Sequence, residues 1–522
     1  MRNRAGLLII LVAACGGPVF AASCESLASL ALPNATVTSA KLMEAGKFTL
    51  PGAPAGAQAG GGFAAPGAPA AGRGPRFDDL PAFCRVTATL KPSADSDIKA
   101  EFWLPMSGWN GRLQPTAAGV FLGSINYAGM ANILRNGSAT ATSDNGHEGG
   151  SGAFALGHPE KLKDFAYRAG HETAVDAKIL TKAFYGDAPS LTVMNECGGG
   201  GRTSLVEVQR YQDDLDLAMV GGLDSDTTHH VLGQMWVWQA NHQTPESFIP
   251  PEKFSVLTNA ALAACDARDG AKDGLIQDPT KCKFDPGVVE CKNGDGPNCL
   301  TKAQVETARK IYSPVRNART GEYLLGPFMP GSEQNWASTV GPAPFPYAVD
   351  VFRYLAFKDP SWDYHTRPIN FDSDVAAVDS EENRIMNAKN YDLSQYFGHG
   401  GKLLLLGGWN DASIAPSTNY DYYNALMKHM GAKAKNDVRL FMVPGMGHCP
   451  GGNGPSTFDI DSLKMLLDWK KTNTPPDQLI AQHRVNGTPD RKVLVCAYPK
   501  IAVFRGTGSL DDPANFTCRF SK

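Results

Sequence analysis

The sequence predicts an α/β protein whose sheet is covered on both faces, and three observations point there. Lys402-Leu403-Leu404-Leu405-Leu406-Gly407-Gly408 and Val438-Arg439-Leu440-Phe441-Met442-Val443-Pro444 are short, nearly continuous apolar runs bounded by turn residues, the pattern of strands buried on both sides. Strand-like and helix-like segments alternate along the chain, which implies a layered sheet with site-bearing loops at the strand ends. Glycine-rich or acid-bearing turns also follow three of the strand candidates directly. In chain order, Cys84 to Leu90 and Ile98 to Leu104 alternate with the period of a strand. Phe165 to Phe184 carries apolar residues at helical spacing and stops at Gly186, a helix-ending residue. Leu191 to Met194 reads as a short buried strand, and Arg202 to Arg210 behind it as a helix. Trp236 and Trp238, flanking Val237, suggest a strand by alternation, and packing residues rather than ligand contacts.

With 522 residues, 43% of them hydrophobic, the chain has the length of two to four domains and enough core to fold without metal or disulfide support. A net charge of -3 and the lack of any Lys/Arg-rich run exclude a polyanion-binding surface. Beyond the N-terminus no apolar stretch reaches the roughly 20 residues that a membrane span needs. The N-terminus reads as an export signal over residues 1–22: a basic Met1-Arg2-Asn3-Arg4, an apolar Leu7 to Ala14, and Val19-Phe20-Ala21 and Phe20-Ala21-Ala22 as cleavage sites. Val12-Ala13-Ala14-Cys15 also resembles a lipoprotein cleavage box, which would leave Cys15 lipidated. Either way the chain is exported, to the periplasm or beyond. Of the 11 cysteines, removing Cys15 leaves an even number in an oxidising compartment, as a disulfide set requires. Residues 51–76 are almost all Ala, Gly and Pro, with nothing to bury, and predict a disordered loop.

The chemistry lies past the strands. Asn195-Glu196-Cys197-Gly198-Gly199-Gly200-Gly201-Arg202 is a Gly-rich strand-to-helix turn, Gly408-Trp409-Asn410-Asp411 supplies an acid, and Gly445-Met446-Gly447-His448-Cys449 supplies a His. A sharp turn, then an acid, then a His is the chain order of an α/β-hydrolase triad. Acyl transfer needs that set because a hydroxyl is a poor nucleophile until a His takes its proton, and the acid fixes the His tautomer. A phosphate-cradling loop is the other reading of the glycines, but the Lys-Ser/Thr of a P-loop is missing. A second motif, Cys265 to Ile276, spaces carboxylates at Asp266, Asp269 and Asp273 among glycines. Such hard oxygen donors suit calcium; the spacing is not that of an EF-hand, and a solvated acidic turn is the alternative.

These segments resemble the tannase/feruloyl esterase family, which includes the mono(hydroxyethyl) terephthalate hydrolases. The resemblance extends to Trp109-Asn110-Gly111-Arg112, Ser143-Asp144-Asn145-Gly146-His147, Phe154 to Lys161, Phe165-Ala166-Tyr167-Arg168 and Gln209-Arg210-Tyr211. It implies an α/β-hydrolase fold, residues 23–226 with 400–522, carrying a large inserted lid domain at 227–399. It implies a bridge between Cys197, beside the nucleophile, and Cys449, beside the catalytic His. The other implied pairs are Cys24 with Cys84, Cys265 with Cys282, Cys291 with Cys299, and Cys496 with Cys518. A structural calcium is implied in the lid, held by carboxylates of Asp266, Asp269 and Asp273 and carbonyls of Ala271 and Leu275. The implied substrate is a small aromatic ester, galloyl, feruloyl or a related phenolic.

Two places depart from the resemblance, the nucleophile turn and the glycine run of the second oxyanion donor, and the first matters more. The family turn reads Cys-Ser-x-Gly-Gly-Arg with Ser as nucleophile, and here that place is Gly198. The triad becomes Gly198, Asp411 and His448, without an oxygen on its first member. Thr203 and Ser204 are expected to point into packing or solvent from the next helix. The Gly199 N–H remains as an oxyanion donor, and the second donor falls to Gly119 in Thr116-Ala117-Ala118-Gly119-Val120. The resemblance therefore implies an exported carboxylic ester hydrolase, whereas the residues alone imply a pseudoenzyme that binds an aromatic ester. Trp336, Phe345, Tyr347, Phe352, Tyr354, Trp362 and Tyr364 offer stacking surfaces for such a ligand, although most are expected to be lid core. His147 and Glu148 read as hydrogen-bonded loop residues.

Overall fold

The computed structural model describes residues 22–51, 76–450, 458–485 and 488–521. The signal segment and the Ala/Gly/Pro loop fall outside these residues, apart from Ala22, Pro51 and Arg76. Among the described residues no helix is long and apolar enough to cross a membrane.

Nine strands form the main sheet: β1 (Ala35–Met43), β2 (Phe83–Leu90), β3 (Ile98–Pro105), β4 (Arg112–Pro115), β5 (Ala139–Ser143), β6 (Leu191–Cys197), β7 (Leu217–Gly221), β8 (Lys402–Gly408) and β9 (Val438–Val443). Their order is β1-β2-β3-β5-β4-β6-β7-β8-β9. The first three strands and the β3/β5 pair are antiparallel, and every pair from β5 onward is parallel. The short apolar run at 402–408 behaves as its composition requires. Leu403 and Leu405 join one hydrophobic cluster and Leu404 and Leu406 another, all four with no exposure. Successive strand residues point to opposite faces, so both faces of β8 are covered.

The covering helices are α1 (Tyr127–Arg135), α2 (Ala169–Tyr185), α3 (Gly199–Arg210), α7 (Ser417–Met430) and α8 (Ser462–Thr472). Leu205 and Val206 of α3 and Tyr422 and Leu426 of α7 pack with Leu403 and Leu405, while Leu466 and Trp469 of α8 pack with Leu404 and Leu406. Helix α2 ends at Gly186, whose left-handed conformation (φ 87°) closes the helix as expected. The expected helix from Phe165 does not begin regularly: Asp164–Arg168 forms a π turn before α2, a feature that re-aims side chains.

Residues between β7 and β8 form the long insertion, with α4 (Thr227–Asn241), α5 (Phe254–Cys265) and α6 (Lys302–Ile311). Trp236 and Trp238 lie on α4, not on a strand. Three residues cannot separate a period of two from one of 3.6. The longer register, with Val231, Leu232, Met235 and Trp238 buried, is helical. Trp336, Tyr347, Phe352 and Trp362 lie in the insertion's hydrophobic cluster, and Phe345, Tyr354 and Tyr364 pack against it. Phe121, Phe165, Ala412 and Ala415 from loops of the sheet region join the same cluster, so the insertion shares its core with the loops beneath it.

Five disulfides are present: Cys24–Cys84, Cys197–Cys449, Cys265–Cys282, Cys291–Cys299 and Cys496–Cys518. Phe458–Asp459, just before α8, and two strands after it make a three-stranded antiparallel sheet, which a two-stranded hairpin follows, the last bridge tying one to the other.

Truncation of Leu405 to Ala, in the fully buried centre of β8, is expected to destabilise the protein by roughly 3 kcal/mol. Denaturant unfolding of the purified protein reads this as a lower midpoint at unchanged slope.

Candidate active site

The parallel register places four strand ends side by side. Cys197 pairs with Gly221, Leu406 with Gly221, and Gly408 with Val443. The turns after these strands carry Gly198, Gly222, Asp411 and His448, which is how residues up to 250 positions apart in sequence meet.

Gly198 joins β6 to α3 with φ 62° and ψ −129°. Side chains rarely adopt this region, and a non-glycine residue there is strained. The turn is held on both sides: the Gly198 N–H donates to the Gly221 carbonyl at 2.9 Å, and its carbonyl accepts from Arg202 N–H at 2.9 Å. The buried Arg202 guanidinium donates to the carbonyls of Phe165, Ala166 and Met386, fixing the first turn of α3 to the π segment and the insertion. The Cys197–Cys449 bridge spans 252 residues, and closing so long a loop stabilises by roughly 5–6 kcal/mol on chain-entropy grounds.

Asp411 is fully buried. Its Oδ1 accepts from the N–H groups of Ser413 (2.8 Å) and Ile414 (2.9 Å), and its Oδ2 accepts from His448 Nδ1 at 2.8 Å. That bond places the proton on Nδ1 and leaves Nε2 as the acceptor. Nε2 faces the turn: a Cβ placed on Gly198 would lie 2.9 Å from it. Burial opposes charge on His448, but the adjacent Asp411 carboxylate more than offsets it, so the imidazole pKa is raised. Gly222, also left-handed at φ 51°, lies against the same ring, where a Cβ would meet Cε1 at 2.7 Å.

A cavity of about 300 Å³ opens over the turn. Gly119 and Gly199 both line it, and a Cβ on Gly119 would come 3.8 Å from the Gly199 nitrogen. The next residue, Val120, has φ 43°, an outlier for a β-branched side chain of the kind that clusters at functional sites. Phe165, Phe345 and Tyr347 supply aromatic wall, so two of the seven insertion aromatics reach the cavity. Thr203 differs from expectation in also lining it. Its Oγ1 nonetheless donates to the Gly199 carbonyl, as Ser204 Oγ donates to Gly200, so both hydroxyls are committed to their own helix.

Sequence reasoning missed the polar wall. Asp224, His230 and Gln234 line the cavity, and Asp224 Oδ1, His230 Nδ1 and Gln234 Oε1 are buried without a hydrogen-bond partner. His230 Nε2 donates to the Ser413 carbonyl at 2.9 Å, while Nδ1 stands 3.3 Å from Asp224 Oδ2. Their signal was positional: Asp224 follows Val220-Gly221-Gly222 just past a buried strand. His147, buried, shares a 2.9 Å hydrogen bond between Nε2 and the Phe121 carbonyl and stacks on Phe154, a loop-ordering contact.

The acidic loop lies outside the cavity. Asp266 accepts from the N–H groups of Asp273 and Gly274, Asp269 Oδ1 from Ala271, and Asp273 from Leu275. Asp269 Oδ2 is buried without a partner. Arg491 holds the Asp273 carbonyl at 2.7 Å. The Leu275 side chain packs beneath the His448 turn, where a Cβ on Gly445 would meet its Cδ2 at 2.5 Å.

Substituting Gly222 by Ala is expected to drive the His448 ring away from Asp411, because both the backbone region and the space exclude a methyl group. The loss of the downfield Nδ1 proton resonance of His448 reports it; an unchanged resonance would show that the ring is not held by this contact.

The family described as tannase and feruloyl esterase matches residues 84–519. An uncharacterized esterase of Xanthomonas campestris pv. campestris is 32% identical, over 95% of this chain and 91% of its own. A probable feruloyl esterase B-2 of Aspergillus terreus is 31% identical, over 83% of this chain and 86% of its own. Among solved structures, feruloyl esterase B from Aspergillus oryzae superposes with a TM-score of 0.82 at 29% identity, covering 95% of this chain and 99% of that one. Tannin acyl hydrolase from Aspergillus niger, at 19% identity and a TM-score of 0.76 over 95% and 94% of the two chains, shares the α/β-hydrolase fold. With its strand-end turns, its Asp411–His448 pair and a match over most of its length, the chain belongs to the tannase and feruloyl esterase family of esterases.

Proposed function

We propose that the cavity is a site for aromatic carboxylic esters, laid out for Ser-His-Asp acyl transfer, and that with Gly198 in the nucleophile place this chain binds such esters without forming an acyl-enzyme. The observation that carries this reading is the pairing of an intact Asp411–His448 dyad with a turn that aims His448 Nε2 at a Cα bearing no oxygen. A cavity of about 300 Å³ with Phe165, Phe345 and Tyr347 on its wall suits a single aromatic ring. The orphaned acceptors Asp224 Oδ1 and Gln234 Oε1 favour a ring with hydroxyl donors, a phenolic acyl group. The Gly199 and Gly119 N–H groups polarise the ester carbonyl. His448 has no Oγ proton to take, so turnover is left to whatever water it activates. The hydrolase reading, implied by the family, requires that this water or another nucleophile suffice.

With Ser at position 198, Oγ attacks the ester carbon as its proton passes to Nε2. The imidazolium, held by Asp411, then protonates the departing alkoxide, and water reverses the sequence on the acyl-enzyme. In serine hydrolases of this type, loss of the nucleophile lowers kcat by about a millionfold. Gly198→Ser is therefore expected to raise turnover of methyl gallate, methyl ferulate or a short nitrophenyl ester by at least 10⁴-fold. It is also expected to lower stability by about 1–2 kcal/mol, because Ser occupies a left-handed turn and the His448 ring must give by a few tenths of an ångström. Equal rates for the two proteins, lost in His448→Ala, would overturn the binding-only reading. Activity of the Ser form should rise with pH through a value above the ordinary imidazole range: the raised pKa of His448 keeps the base protonated to higher pH.

In the same reading the Asp266–Leu275 loop holds calcium through carboxylates of Asp266, Asp269 and Asp273 and carbonyls of Ala271 and Leu275. The buried, partnerless Asp269 Oδ2 and the all-oxygen donor set support it. Bound calcium neutralises the clustered carboxylates and stiffens the floor under the His448 turn through Leu275. Chelation is expected to lower the melting temperature by several degrees, restored by calcium; an unchanged melting curve removes the assignment. The disulfides favour an exported, oxidising location for the protein.

A further inference from the structure

Away from the cavity, α2, α3 and the turn before β7 bring together His171, Glu207 and Asp214. One ligand atom from each lies within 4.8 Å of the other two. His171 Nδ1 and Asp214 Oδ2 are 2.6 Å apart. Glu207 has no solvent exposure, and although it lies against Asp214, neither of its oxygens meets a donor at hydrogen-bond geometry. A buried carboxylate without partners is expensive, and the fold makes room for it: a Cβ on Gly170 would lie 2.5 Å from Glu207 Oε1. The other charged neighbour, Lys178, donates to the Asp213 carbonyl at 3.1 Å and reaches Asp214 Oδ1 only at 3.5 Å. His171 is fixed by stacking on Tyr211, with ring centroids 3.6 Å apart, and its side chain is 27% exposed, which leaves an entry path.

We propose that His171, Glu207 and Asp214 form a binding site for a divalent transition-metal ion of the zinc class. One imidazole and two carboxylates are the donors such ions take, and the imidazole selects against calcium and magnesium. In a tetrahedral site with metal–ligand distances of about 2.0–2.2 Å, ligand atoms lie roughly 3.3–3.6 Å apart, so the trio, within 4.8 Å of one another, closes on the ion with side-chain adjustments of about an ångström. Binding replaces the His171–Asp214 hydrogen bond by two metal bonds and gives Glu207 the cation it lacks. The ion would pin the C-terminal half of α3, whose first turn carries the Gly198 elbow, to α2 and to the chain entering β7.

The test uses the full chain without a histidine tag, kept in saturating calcium and titrated with Zn²⁺, and with Co²⁺ for its visible absorption. One equivalent is expected to bind, with a rise in melting temperature and a cobalt spectrum of nitrogen–oxygen ligation. Glu207→Gln, which keeps shape and burial, should weaken Zn²⁺ binding at least 100-fold. If that variant fails to fold, His171→Asn, at a part-exposed position, makes the same test. The proposal is overturned if no stoichiometric binding occurs, or if binding survives in the folded variant; Glu207 then simply holds a proton.

Discussion

The site depends on one constraint, the parallel register of β6, β7, β8 and β9. Because Cys197, Gly221 and Leu406 lie in one row and Gly408 and Val443 close the next two strands just past it, each chain leaves the sheet at the same edge and each turn is delivered to its neighbours. The disulfide from Cys197 to Cys449 and the hydrogen bonds of the Gly198 peptide units then hold two of those turns against one another. None of these restraints uses the side chain at position 198. The elbow thus keeps its left-handed form with glycine there.

Electrostatics within the site follow from the same packing. Asp411 is buried, but two backbone N–H groups and His448 satisfy its oxygens, and it raises the imidazole pKa against the opposing effect of burial. Across the cavity, Asp224, His230 and Gln234 show the opposite condition, buried atoms without partners. A dyad complete within the protein thus faces a wall whose buried polar atoms lack protein partners.

The insertion also holds the loops that it packs against. Asn335 Nδ2 donates to the Asn410 carbonyl, Asn410 Nδ2 to Gly331, and Thr339 Oγ1 to Ala412, so the loop bearing Asp411 is clamped from above. Arg202 ties the elbow helix to Phe165 and Met386, and Leu275 supports the His448 turn from below. The elbow at Gly198, Asp411 and His448 are therefore each held by parts of the chain far away in sequence, which makes the geometry of the candidate site a property of the whole molecule.

Sequence alone determined what local chemistry and period can carry. The apolar run at 402–408, the turn residues after three strands, the acid and the His, and the glycine at 198 are all visible in linear order. The longer patterns were legible because a buried strand and an amphipathic helix bury residues at different periods. Trp236 to Trp238 was too short a window to separate those periods. The cavity's polar wall and the His171, Glu207 and Asp214 trio were decided only by tertiary structure. His230 and Gln234 share one face of α4, but Asp224 lies on the turn before it and the trio lies on two helices and a turn; no spacing in one dimension records which side chains the sheet register brings within a few ångströms, or which buried oxygens are left without a donor.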